Sequence, residues 1–163
     1  MNAKDILAHG HRDVYQALDG LTMEDWQRAG VTGRWSLKDM AAHLASYELF
    51  LEDALKFVLG REPRPTLEAM ISDRVGFDNQ QVANRQALSA AEILTEYGQA
   101  HQRVAGLVEE LGSERLRQVG TIPWYGPEYS LDDFIVYANY GHKREHVIDI
   151  TTFRRTAHLD RRP

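Results

Sequence analysis

The sequence predicts an all-α protein, a four-helix bundle with a long crossover between its second and third helices. Three observations predict it. Apolar residues recur at helical spacing almost throughout the chain, and strand-like alternation is scarce. Three of the long apolar stretches open with the same kind of capping box, Ser36 with Asp39, Ser89 with Glu92 and Ser130 with Asp133. Finally, the second and third stretches lie about 30 residues apart, too many for a tight antiparallel turn.

In chain order, the first helix is expected from Ala3 to Leu18, with Ile6, Leu7, Val14, Ala17 and Leu18 inward and Gly20 ending it. A short helix follows, capped by Thr22 with Asp25 in the capping-box position. Ser36 opens the second long helix, which runs to Leu59 and stops at Gly60. The stretch GREPRPT reads as a loop, and Leu67 to Ala87 as a short helix, a turn near Gly76 and a further helical piece from Asp78. Ser89 opens the third long helix, expected to end near Leu111 at Gly112. After the turn-rich TIPWYGPEYS, Ser130 caps a last helix reaching about Arg155. One domain over 1–156 and a tail over 157–163 are expected, with no repeat and no linker.

Bulk composition narrows the function. The chain has 163 residues, 43% of them hydrophobic, enough for a core without staples. A net charge of -5 argues against a nucleic-acid partner, which wants a basic footprint. Arg154, Arg155, Arg161 and Arg162 form a basic cluster, read as a solvated tail. With 0 Cys, a disulfide framework, a thiolate zinc site and a cysteine nucleophile are excluded within this sequence. No stretch approaches the roughly 18 apolar residues of a membrane span, and the N-terminal MNAKDILAHGHRDVY lacks the apolar core of a signal peptide. A cytoplasmic protein with no membrane partner is expected.

Histidines carry the chemistry. With 100° per residue, His43 lies among Met40, Leu44, Tyr47, Phe50, Leu51 and Ala54, inside the apolar arc of the second helix. On the last helix His142 and His146 lie about 40° apart, on the stripe of Leu131, Ile135, Ile150 and Phe153. Lys143, Arg144 and Glu145 fall off that stripe. Buried imidazoles need partners, because an unpaired polar group in an apolar interior costs a few kcal/mol. Two histidines at i and i+4 can share an ion, and a third can come from a facing helix. Packing histidines that satisfy one another would produce the same pattern. His9 and His11 diverge by about 200° and cannot chelate together. His101 is read as structural or on the surface, and His158 as part of the tail. Asp149 is either an acceptor behind a metal-bound histidine, a ligand, or the partner of an arginine at the rim. Glu48, five residues beyond His43, is turned away from it and makes a poor general base. Trp35, Trp124 and Tyr125 lie just outside helix ends, either at a pocket mouth or at the edge of the core. No nucleotide-binding glycine motif or nucleophile elbow occurs.

The stretch GRWSLKDMAAHLASYE resembles the second-helix motif of the DinB-like (damage-inducible) four-helix bundles, and YANYGHKREHVIDI resembles their last-helix H-x-x-x-H motif. The resemblance covers nearly the whole chain in element order and length. It implies a metal held by one histidine of the second helix and two of the last, here His43, His142 and His146. It also implies a low-molecular-weight thiol as co-substrate and a homodimer, while three imidazoles suit a divalent zinc, nickel, iron or copper ion, zinc or nickel foremost. The family includes thiol-dependent transferases and isomerases, and self-resistance proteins that open a reactive warhead. A metal-dependent enzyme acting on a small electrophile is therefore expected, as thiol transferase, isomerase or hydrolase. A non-catalytic small-molecule-binding or stress bundle protein is the alternative. No general base and no specific substrate is assigned.

Overall fold

The structure, a computed structural model, describes residues 2–160, so Arg161 and Arg162 of the expected basic cluster lie outside the described residues. The chain is mainly helical. α1 spans Ala3–Leu18, α2 Met23–Trp26, α3 Leu37–Val58, α4 Pro65–Ser72, α5 Phe77–Ala83 and α6 Ala90–Arg117. α7, Leu131–Asp133, runs through a π-helical segment, Phe134–Tyr140, into α8, Gly141–Thr156. Capping boxes at Thr22, Ser36, Ser89 and Ser130 all form, each with reciprocal side-chain and backbone hydrogen bonds. Each satisfies two otherwise orphaned donors at a helix start.

Four features depart from the sequence reading. A two-stranded antiparallel ribbon, β1 at Ala29–Thr32 and β2 at Trp35–Ser36, precedes α3. Its turn is made by Gly33 at φ 57, a left-handed value that a side chain rarely adopts. α6 does not stop at Gly112. It breaks there, at φ 68, and resumes to Arg117. The last helix is not uniformly α: the Gly141 N–H reaches back to the Val136 carbonyl, the wider i to i−5 bond. Arg154 is no part of a solvated tail. Its guanidinium donates to the Ala17 and Asp19 carbonyls at 2.7 Å each and pairs with Asp160 at 3.1 Å. It satisfies orphaned carbonyls at the end of α1, and beyond it Leu159 is buried.

α3 packs closely on α6, and α1 packs on α8, on the π-helical segment and on α6. Leu7, Leu51, Leu55, Val104, Phe134 and Ile135 belong to one apolar cluster. Val14, Leu37, Met40, Leu44, Ile93 and Ile150 belong to another. The long connection between α3 and α6 is tied down at both ends. Buried Asp53 of α3 accepts the Thr66 and Leu67 N–H groups at 2.7 and 3.2 Å. It thereby caps α4, whose own N-terminal residue Arg64 supplies no side-chain cap. Lys38 donates to the Gln86 and Leu88 carbonyls at 2.9 and 2.8 Å. α4 and α5 are thus held against α3, on the flank that carries His43.

Candidate metal centre

α3 places His43 in the interior, 2% exposed, and α8 brings His142 and His146 to it. The three Nε2 atoms approach one another at 2.9, 2.9 and 3.1 Å. These are the three histidines that the spacing singled out, and among the described residues they form the one group of three or more such side chains able to hold an ion. His43 and His142 both sit well below the usual imidazole range. Burial, with His146 beside it, holds His43 at about 3. Burial, with His146 and His43 beside it, holds His142 at about 2. Both rings are therefore neutral at physiological pH.

Proton placement tests the fit to a metal. A neutral imidazole carries one N–H. His146 Nδ1 lies 3.1 Å from the Asp149 carboxylate, an acceptor, so the proton belongs on Nδ1 and Nε2 presents a lone pair. His43 Nδ1 lies 3.6 Å from Asp78, beyond hydrogen-bond reach, and the nearby negative charge alone favours a proton on that nitrogen. With both protons on Nδ1, two lone pairs face each other at 3.1 Å, an arrangement that only a proton on His142 Nε2 or a cation can offset. A cation relieves it, and a carboxylate behind a ligating imidazole is the usual support of such a site. Asp149 accordingly lies behind His146, and among the described residues it pairs with no arginine. Asp78, at the start of α5, was not singled out by the sequence. Its only signal was a first-turn acid in a segment with weak periodicity.

Aromatic rings brace the triad. Trp35, from β2, lies 4.9 Å from the His43 ring centroid. Tyr47, one turn beyond His43, stacks on His142 at 4.1 Å and donates its hydroxyl to Asp78 at 3.1 Å. The far side of Tyr47 faces a cavity of about 400 Å³ between α3, α4, the 121–130 loop and the π-helical segment. Trp124 and Tyr125 line this cavity, whereas Trp35 packs against the triad itself. No triad imidazole lines this cavity directly, and Tyr47 is the residue the two share; larger or comparable grooves along the outer faces of α1 and α6 touch neither the triad nor Tyr47.

A second polar group crosses the interior between the two apolar clusters. Lys143, 1% exposed, pairs at 2.5 Å with Glu48, which is fully buried. His101 of α6 meets the other Glu48 oxygen at 3.0 Å, and His11 of α1 stacks on His101 at 3.8 Å. Burial pushes the Glu48 carboxyl up, but the Lys143 ammonium and the His101 contact outweigh it and hold it at about 2. Lys143 does leave the histidine stripe, yet it does not reach solvent. A rotation of about 100° from His142 turns it toward α1, α3 and α6, where Glu48 supplies its countercharge.

The family model of the DinB superfamily matches residues 6–150, a span containing all three imidazoles, Asp78 and Asp149. No curated protein and no solved structure matches the chain.

Proposed function

The chain belongs to the DinB superfamily, and from the site it carries we propose that it is a metal-dependent enzyme acting on a small electrophilic molecule. In this reading the long helices form a four-helix bundle with one long crossover, and His43, His142 and His146 are the metal ligands. Supporting it is one observation above all: the three Nε2 atoms converge within 3.1 Å of one another, with His146 Nδ1 on the Asp149 carboxylate and His43 Nδ1 3.6 Å from Asp78. Three neutral imidazoles suit zinc or nickel, and three protein ligands leave a position for water or substrate. Once bound, the ion supplies Lewis acidity, lowering the pKa of a coordinated thiol or water or polarising the electrophile.

The chain's own residues have separate tasks. Asp149 and Asp78 fix the tautomers of His146 and His43 and orient their rings. Trp35 and Tyr47 exclude water from the sides of the triad. With 0 Cys, any sulfur nucleophile must be a co-substrate, and a low-molecular-weight thiol belongs to the proposal for that reason. A homodimer belongs to it as a property of the family, checked by sedimentation.

A second reading, a bundle that captures a small molecule without transforming it, draws on a different observation. Asp78 and Asp149, the carboxylates beside the triad, are engaged by the Tyr47 hydroxyl and by His146 Nδ1 respectively, so neither stands free as a general base. A thiol-consumption screen separates the two readings. Metal-loaded protein is given cysteine or a cysteinyl glycoside thiol with an epoxide, an activated aryl chloride or an enone. Catalysed thiol loss that a chelator and His43→Gln both abolish supports the enzyme. Ligand binding without any chelator-sensitive turnover puts the binding protein first.

A further inference from the structure

The cavity behind Tyr47 has a composition that specifies a ligand class. Its walls are Tyr47 and Phe50 from α3, Met70 from α4, Trp124 and Tyr125 from the 121–130 loop, and Phe134 from the π-helical segment. The rings hold one another edge to face: Tyr125 meets Phe134 at 5.0 Å and Phe50 meets Phe134 at 5.8 Å. A wall of interlocked rings is rigid, apolar and shaped for a flat molecule. At about 400 Å³ the space fits one or two fused rings with a short substituent.

One cation lines this cavity, Arg74, just beyond the end of α4. Among the described residues it makes no ion pair and no hydrogen bond, although most other arginines lining the α3–α6 connection are engaged: Arg61 with Glu110, Arg64 with Glu62 and Arg85 with Glu96. Its fork of donors suits a planar or tetrahedral oxyanion. The nearest acid beyond the wall, Asp78, already accepts the Tyr47 hydroxyl and lies 3.6 Å from His43, and no acid lines the cavity itself, so Arg74 is left for an anionic group. An anionic group is therefore placed at Arg74, with its ring system against the aromatic wall that includes Tyr47.

We propose that this cavity binds a small aromatic molecule bearing one anionic group, a carboxylate, sulfonate or phosphate, which Arg74 holds. The inference rests on the proposed function in taking the cavity as the substrate side of the triad. The experiment nevertheless reads binding alone.

Two dyes serve as probes, 1-anilinonaphthalene-8-sulfonate and its neutral counterpart N-phenyl-1-naphthylamine, which has the same rings without the sulfonate. Fluorescence titrations use wild-type protein, Arg74→Gln, Arg74→Lys and the cavity-filling Ala138→Phe, each checked for native near-UV circular dichroism. Both dyes are expected to bind saturably. Arg74→Gln should weaken the sulfonate about tenfold or more and leave the neutral dye unchanged, since a charge-assisted hydrogen bond is worth about 1.5–3 kcal/mol. Arg74→Lys should restore part of the loss, and Ala138→Phe should weaken both dyes. Equal affinity of wild type and Arg74→Gln for the sulfonate, or sulfonate binding that survives Ala138→Phe, would overturn the proposal. Titrations repeated after chelation separate this inference from the metal reading: dye binding that persists in a protein found never to hold metal sinks the proposed function and leaves the cavity assignment standing.

Discussion

His43 is the most buried of the three imidazoles, and the physics of the triad is clearest from it. Its ring sits at about 3, that of His142 at about 2, and that of His11, lowered by burial and then by His101, at about 4. All three are depressed below the unfolded value of about 6.5. The unfolded chain therefore takes up protons first as pH falls, and stability is lost from about pH 6.5 downward. The slope is at most about 1.4 kcal/mol per pH unit for each ring. Glu48 adds to this only below about pH 4.5, so pH 7 to 5 isolates the histidines. Metal-free protein should give urea midpoints that fall steadily between pH 7 and 5, and less steeply in His43→Gln. Stability that does not change across that range would contradict the burial argument. This much of the site was legible, because i and i+4 on an apolar stripe is a one-helix pattern. Asp78 and Arg74 were not, because their meaning depends on how the connection between α3 and α6 folds onto α3.

Elements decide the fate of Lys143. Reading one helix at a time places a lysine off the apolar stripe and gives it no partner. In the fold, α1, α3 and α6 close over that face, and Glu48, also set aside by its angle from His43, becomes its partner. Two residues dismissed singly form the buried pair between the apolar clusters. Breaking such a pair costs more than deleting it. Lys143→Met alone should lose about 3–5 kcal/mol, because it leaves a carboxylate buried without its cation. Lys143→Met with Glu48→Gln should recover most of that, measured by urea unfolding against both single variants. A double variant no better than the worse single would mean that the pair is not coupled as the 2.5 Å contact indicates. The π-helical segment was equally hidden: its apolar residues fit a 3.6-residue period well enough, and the wider turn arises where Phe134 and Ala138 meet the cavity and Gly10 of α1 meets Tyr140.

At the scale of the whole molecule, α1 closes against the helix that carries two of the three imidazoles, and Gly10 sets the approach. A Cβ there would meet Tyr140 Cδ2 at 3.0 Å and Lys143 Cδ at 3.3 Å, and the lysine head is fixed by Glu48. Gly10→Ala gains about 1 kcal/mol of helix propensity but overpacks this contact, at about 1–3 kcal/mol. A net loss of about 1 kcal/mol is expected, read as a lowered thermal midpoint, and a raised midpoint would show that α1 has room to move. Helix order, capping boxes and the length of the connection were all visible in the sequence, since each is local. The β1–β2 ribbon was not, since its strands are four and two residues long. The central claim joins α3 to α8 through one ion, and metal content tests it most directly. Untagged wild-type protein and His146→Ala are incubated with zinc or nickel, dialysed and analysed by mass spectrometry. Near-stoichiometric metal in the wild type, lost in the variant, is the predicted result. Wild-type protein that stays empty after both metals would show that the three imidazoles are there for packing, and the metal-dependent reading would fall.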